Sequence, residues 1–417
     1  MTKFKLIFLI IGIFYLTGCN SSSSGVIDIG KYVSEDIEIP GGHFKINGIE
    51  YSFTNETLVV EKWRDKYHWS SATHEIGDTI IKVEKCDPDL QKIELPSEMM
   101  YKGKIYPVAE IASNVFLHCE KLSSLILPEG LKELEGGFSS PYLTSITIPG
   151  SVYSIHLRAP NLKEIKLEDG IVVVGIGSDS LINFDLPASV RSLDEVSCPN
   201  MQSIKLNEGL EMIGYRCFEN DSLLKSINIP NSVNNMEGEI FRGCTSLETV
   251  KLSSNVNILK DTFEGCTALK SIKIPEGVRI LKGTFEDCVT LEEVQLPSSL
   301  KEIEYSTFRN CKSLSKINFP DNLEKIGRYA FENCSSLKSI TLSKKVNYIG
   351  EEAFYGCDEV ESVTVLNPNP FPERLAFGKY ALDCPLYVTE GSVNAYIEDN
   401  EGIGYYFKDR IYPIKNR

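Results

Sequence analysis

The chain has 417 residues, a formal charge of −15 at pH 7, 42% hydrophobic residues and twelve cysteines. That length would hold two or three globular domains, and the hydrophobic share is ordinary for a soluble protein. The acidic balance argues against non-specific nucleic-acid binding, which needs basic patches, and says little else.

From the N-terminus, Lys3 and Lys5 precede an apolar run from Leu6 to Leu16. The run is too short for a comfortable transmembrane span, so residues 1–18 read as a secretion signal. Leu16, Thr17, Gly18 and Cys19 are similar to a bacterial lipobox. The resemblance implies cleavage before Cys19 and lipid on Cys19. Loss of Lys3 and Lys5 would take the charge from −15 to −17. Several acyl chains, at about 0.8 kcal/mol per buried CH₂, give a durable membrane anchor. Residues 19–25, with Asn20 and four serines before Gly25, read as the lipidated cysteine and a flexible tether. Asn20 in place of Asp fits the outer-membrane lipoproteins this segment resembles. No acidic cluster follows Cys19, which leaves periplasmic and outward orientations both open.

Residues 26–75 carry no repeat. The run from His43 to Phe53 alternates about Asn47-Gly48, a strong hairpin signal, and Leu58 to Val60 adds a strand. The segment reads as a small β cap over the open apolar end of the repeats downstream. Trp63, Trp69, His68 and His74 stand in it. Cap packing and solvent exposure account for them better than a ligand or metal site.

Residues 76–366 read as thirteen coils. Leu90, Ile93 and Leu95 make the first, and a longer connection through Tyr101 and Tyr106 leads to Phe116 and Cys119. Across 138–210 the coils are shorter. Leu143/Ile146/Ile148, Leu162/Ile165/Leu167 and Leu181/Phe184/Leu186 recur every 19 residues, and Met201/Ile204/Leu206 comes 20 later. Here the Phe and Cys phrase is missing, so the strands persist and the back of each coil is cut down. At Phe218 the full repeat resumes, with Asp221 in the cysteine place and Cys217 just before the Phe. Phe241/Cys244, Phe263/Cys266, Phe285/Cys288, Phe308/Cys311, Phe331/Cys334 and Phe354/Cys357 then come at 22 or 23 residues. A fixed period of that size means a stacked array. In Leu337, Ile340 and Leu342 the alternation is that of a half-buried strand. Pro275, Pro297 and Pro320 stand just past sister strands, and Glu351 to Phe354 reads as a short helical or 3₁₀ turn on the opposite side. One coil cannot bury its own apolar face, so neighbours share a column of Leu, Ile and Phe. At ~4.8 Å per coil the body is roughly 60 Å long.

The phrase from Ala330 and Phe331 through Cys334, Leu337, Ile340 and Leu342 resembles the BspA-type leucine-rich repeats of bacterial surface lipoproteins. The resemblance implies an α/β leucine-rich repeat solenoid, with a curved parallel sheet on one face and short helical or 3₁₀ turns on the other. It implies β caps at both ends and a binding role, often adhesion, with no catalytic residues. Residues 367–417, opening on the Pro-rich stretch Asn367 to Pro372, read as the C-terminal cap, with closing strands at Leu386 to Val388 and Ile411 to Ile414.

Seven cysteines, Cys119 and Cys244 to Cys357, each stand three residues after a Phe and form a ladder. Small buried apolar thiols explain a repeat-locked ladder better than disulfides, whose torsion is specific. A metal site is disfavoured because a ladder spreads its ligands along an axis. The five histidines fall in no metalloprotease motif, no G-x-S-x-G or P-loop motif is present, and the carboxylates are scattered. No enzyme activity and no cofactor is expected.

Strand alternation sends the third and fifth positions of each L-x-x-I-x-L outward. They hold no aromatic residue, six Lys and four acids, so the face is polar and weakly basic. Lys166, Lys205, Lys251, Lys273, Asn228, Gln295 and Asn318 are the candidate contacts. The expected partner is an acidic protein, host matrix included, or a polyanionic glycan, with the membrane engaged only through Cys19. The function read from this is an outer-membrane binding lipoprotein, an adhesin among the options. A glycan-capture lipoprotein for nutrient uptake and a periplasmic scaffold are the alternatives.

Overall fold

The computed structural model describes residues 26–31, 41–64, 69–371, 376–377, 383–399 and 402–414. The signal segment, Cys19 and the tether lie outside these, as do His68 and the side chains of Trp63, Trp69 and His74.

The repeats form a β-solenoid. Each coil places its outward-facing L-x-x-I-x-L segment in a front row of parallel strands: Lys92–Glu94, Ser124–Ile126, Ser145–Ile148, Glu164–Leu167, Ser226–Asn228, Thr249–Lys251, Ser271–Lys273, Glu293–Gln295, Lys316–Ile317, Ser339–Leu342 and Ser362–Val365. Alternation is visible in burial: Ser271 and Lys273 are exposed while Ile272 between them is buried. The chain then turns back. Val278 donates its N–H to the Pro275 carbonyl at 3.1 Å, Leu300 to Pro297 at 3.2 Å and Leu323 to Pro320 at 3.0 Å. Proline pre-sets such a turn.

The back of the coil differs from the sequence expectation of a helical or 3₁₀ face. It carries a second parallel sheet, with the row Ile258–Lys260, Ile280–Lys282, Glu302–Ile303, Lys325–Ile326 and Tyr348–Ile349, and then hydrogen-bonded turns at the Phe. Among the described residues, helix is confined to Ile29–Lys31 and to short turns between Glu390 and Arg410. The reason is backbone geometry. The residue two before each Phe (Arg216, Glu239, Asp261, Gly283, Ser306, Tyr329, Glu352) has φ of +48° to +58°, and the residue two after it (Asn220, Gly243, Gly265, Asp287, Asn310, Asn333, Gly356) has φ of +61° to +73°. Left-handed residues four apart prevent any helical run. The Phe N–H groups instead reach the next coil. Those of Phe218, Phe241, Phe263, Phe285, Phe308, Phe331 and Phe354 donate to carbonyls there at 2.7–2.9 Å.

This turn builds two internal columns. The phenyl rings from Phe218 to Phe377 stack in sequence at 5.0–5.6 Å. Each Cys thiol from Cys244 to Cys357 donates to the carbonyl of the Phe in the preceding coil, at 3.0–3.2 Å. All six are fully buried and free of disulfides. So the ladder position wants a small buried donor, and a thiol supplies it. Burial pushes these thiols above the ordinary range, Cys357 to about 12.

The short coils also differ from expectation. Without the Phe turn the chain stays extended, so the back strands lengthen: Ser154–Arg158, Val173–Gly177 and Ser192–Ser197 run five or six residues. The front row keeps the four-residue strands Ser145–Ile148 and Glu164–Leu167 here and thins only past them, to a single bridge between Asp185 and Lys205. Asp221 stands at the junction. The preceding short coil offers no Phe carbonyl to a thiol. It presents instead the backbone N–H of Cys198, which donates to Asp221 Oδ1 at 2.9 Å. An acceptor therefore replaces the donor.

At the N-terminal end a six-stranded mixed sheet runs in the order Ile27–Asp28, Glu98–Tyr101, Lys104–Ile111, Trp69–Cys86, Ile49–Arg64, His43–Ile46. Asn47-Gly48 is the hairpin turn that its sequence indicates, with φ of 50° and 82°. The stretch read as a connection from Tyr101 to Tyr106 is a second hairpin, turning at Lys102 and Gly103. Phe44, Phe53, Tyr101 and Tyr106 join the same continuous core as the coils. At the other end, Leu386–Val388 and Ile411–Pro413 add in parallel to Ser362–Val365.

In the reduced native protein, a maleimide should label Cys244, Cys266, Cys288, Cys311, Cys334 and Cys357 only on unfolding, measured by peptide mass mapping; rapid native labelling of several contradicts the ladder. Asp221 is completely buried, its Oδ2 has no partner, and burial raises its pKa from 3.8 to about 7. The folded state thus holds the proton where the unfolded state has lost it, and this group's stabilisation fades as pH rises from about 4 to 7. Asp221→Asn keeps the acceptor for Cys198 and removes the charge. Its stability relative to wild type should rise by up to about 4 kcal/mol between pH 4 and pH 8 in denaturant titrations. A difference independent of pH contradicts the assignment.

Candidate functional site

All seven candidate contacts on the front face are exposed. Register brings four into one row. Asn228 lies opposite Lys251, Lys273 lies opposite Gln295, and the strands of Lys251 and Lys273 adjoin. Asn318 follows the strand Lys316–Ile317, next beyond Gln295. A depression of about 250 Å³ opens among Thr249, Ser271, Lys273, Glu293 and Gln295. Lys205 sits one coil before Asn228, its backbone paired in a parallel β-bridge with that of Asp185.

Lys166 is apart from this group and is not a free charge. Its Nζ lies 3.1 Å from Glu168. It lines a second depression, of about 480 Å³, with Glu129, Glu164, Glu168 and the half-exposed Ile126. The front face is thus divided: acidic over the short coils, and basic from Lys205 to Lys273. Among the described residues, Lys205, Lys251 and Lys273 have no carboxylate within 4 Å, unlike most cations of the back.

The outward positions of the repeats hold no aromatic residue, Tyr387 and Tyr412 of the closing strands aside, but along the back tyrosines come to the surface, and sequence reasoning missed them. Tyr215, Tyr305 and Tyr355 are each over 40% exposed. Arg216 lies over the Tyr215 ring and Lys282 over Tyr305. For Tyr215 and Tyr305 the signal was present as Tyr three residues before the Phe, a place taken by Lys260, Lys282 and Arg328 in sister coils, whereas Tyr355 directly follows Phe354. Charges here are neutralised in a chain. Glu239 takes Arg216 at 2.8 Å and Arg242 at 2.9 Å, and accepts from the Tyr215 hydroxyl at 2.6 Å. Partial burial works to raise the Glu239 pKa, but these three donors outweigh it and hold the carboxyl below its usual range. Arg309 likewise bridges Glu286 and Glu332 at 3.2 and 2.7 Å. A self-paired surface offers little charge to a partner.

One histidine cluster crosses the back of the short coils. His156 Nε2 lies 3.1 Å from Asp194, Ser154 Oγ lies 3.4 Å from Nδ1, and Ser192 donates to Asp194 at 2.6 Å. Gly175 on the intervening strand makes room, since a Cβ there would sit 2.7 Å from the imidazole. Ser154 is buried, so its hydroxyl orients the ring and is not offered to a substrate. Among the described residues, no group of three His, Cys, Asp or Glu could hold a metal ion. Nor is any described helix long and apolar enough to cross a membrane.

Stacked parallel coils with a repeated Phe turn define a leucine-rich repeat solenoid. The chain belongs to the family described as the BspA type leucine rich repeat region, whose model matches in six copies across residues 84–195, 176–283 and 257–380. No curated protein matches the chain. Among solved structures it is similar to a leucine-rich repeat protein from Bacteroides ovatus, with 23% identity over 84% of this chain and 80% of that one and a TM-score of 0.50. A leucine rich cell surface protein from Faecalibacterium prausnitzii is 18% identical over 78% and 94%, with a TM-score of 0.42.

Proposed function

We propose that the protein is an envelope-anchored binding lipoprotein that holds an acidic protein along its front sheet, as an adhesin would. The observation that carries this is the row Asn228, Lys251, Lys273 and Gln295, exposed and aligned by register, with lysines that have no carboxylate within 4 Å among the described residues. On a chain of net charge −15, unpaired lysines gathered on one face are the place where an acidic partner would be steered. The acidic depression around Glu164 and Glu168 then fixes direction, since it repels the partner's acidic end. Anchoring through Cys19 would present the rod to that partner.

Replacing Lys205, Lys251 and Lys273 together with Glu should weaken capture of a partner by at least a hundredfold, measured by biolayer interferometry against host matrix proteins and envelope proteins. Lys166→Glu, already neutralised by Glu168, should change affinity less than threefold. Equal affinity of the triple variant and wild type rejects the basic row as the contact.

A further inference from the structure

Cys119 occupies the ladder position of the first Phe turn, but its surroundings break the ladder rule. Every thiol from Cys244 to Cys357 donates to a Phe carbonyl one coil earlier at 3.0–3.2 Å. No Phe turn precedes Phe116, so the backbone carbonyls nearest Cys119 Sγ are distant, that of Val115 at 3.9 Å and that of Asp87 at 4.0 Å. A second sulfur flanks that same Asp87 carbonyl: Cys86 Sγ, at 3.4 Å. Cys86 ends the strand Trp69–Cys86, packs against the core and is the one half-exposed cysteine among the described residues, the others being buried.

We propose that Cys86 and Cys119 are a disulfide-forming pair, a covalent modification site that clasps the N-terminal sheet to the first Phe turn of the stack. The thiols already interact. Cys119 is the largest influence holding the proton on Cys86, and the same contact lowers Cys119 below the ordinary thiol range. A pair that sheds its first proton easily is suited to exchange. The oxidant is a small or protein disulfide, RSSR. The Cys119 thiolate takes the Cys86 proton as Cys86, at the surface, attacks one sulfur of RSSR, and the departing RS⁻ takes up from water the proton that Cys119 first shed. Cys119 thiolate then attacks Cys86 Sγ in the mixed disulfide and expels the second RS⁻, which takes the proton lost by Cys119. Two thiols are oxidised to one disulfide while RSSR is reduced to two RSH. The clasp falls where the stack has no preceding coil to supply the carbonyl, so it replaces a missing rung.

Purified full-length protein is incubated natively with oxidised glutathione, quenched and mapped by mass spectrometry without reduction. The expected result is a single peptide cross-link, Cys86 to Cys119, at a mass loss of about 2 Da. The Cys244 to Cys357 thiols stay free. Cys119→Ser should trap Cys86 as a stable glutathione adduct, and Cys86→Ser should leave Cys119 unmodified. Oxidised wild type should melt several degrees above reduced wild type, a readout that needs no variant to fold. A glutathione adduct persisting on Cys86 of wild type, no reaction at either cysteine, or an unchanged melting temperature after cross-linking overturns the proposal.

Discussion

The structure depends on one constraint: the Phe carbonyl at each turn accepts the ladder Cys N–H within the turn, but the Phe amide finds its partner only in the next coil. Left-handed residues on either side of the Phe forbid helix, so the Phe N–H donates forward and its carbonyl receives a thiol from the succeeding coil. A buried amide or carbonyl without a partner costs about 1–3 kcal/mol, so each coil is held by both of its neighbours. Phenyl stacking fills the space the turn encloses, at the 4.5–7 Å spacing that suits offset rings. Front strand, proline turn, back strand and Phe turn all arise from that requirement, and the exposed front row is its by-product: once the inner alternation is fixed by the shared core, every other side chain must face outward.

The exceptions to the repeat obey the same accounting. Where the Phe turn is deleted, the back strand lengthens and Gly175 opens space for His156 to span it. Where the turn resumes, Asp221 presents an acceptor because the coil before it presents a donor. Where the stack begins, Cys119 and Cys86 share the Asp87 carbonyl because no earlier Phe turn supplies one. In each case the odd residue answers a change in what the neighbouring coil presents to it, a side chain, a donor or a missing Phe turn.

Much of this was legible in the chain. Period, strand positions, the inward Leu and Ile and the outward Ser and Lys could be read because they obey a period of two within a period of 22 or 23 residues. The Asn47-Gly48 turn was legible because few residues accept its backbone. The back sheet was not, because Tyr348 and Ile349 are too short a strand to alternate, and Glu351 and Glu352 look like a helix start. One signal was overlooked. Gly, Asn or Asp stands just before every ladder cysteine from Cys244 to Cys357, as Gly243, Asp287 and Asn333 do, and marks a left-handed turn. The opposite left-handed site carries Asp261 and Gly283 but also Arg216, Glu239 and Tyr329, residues without preference for it, so its signal was broken. Of the candidate contacts, spacing alone showed which residues face outward. That Lys166 is neutralised by Glu168, and that Tyr215 and Tyr305 are exposed on the back, depend on how the chain is placed in space.

Amide hydrogen exchange at the Phe turns tests the central claim most directly. If the turns are bonded coil to coil, the amides of Phe241, Phe263, Phe285, Phe308 and Phe331 exchange as slowly as those of the front strands, opening only with the solenoid itself. Exchange at the rate of solvated loops, while the front strands remain protected, would contradict it.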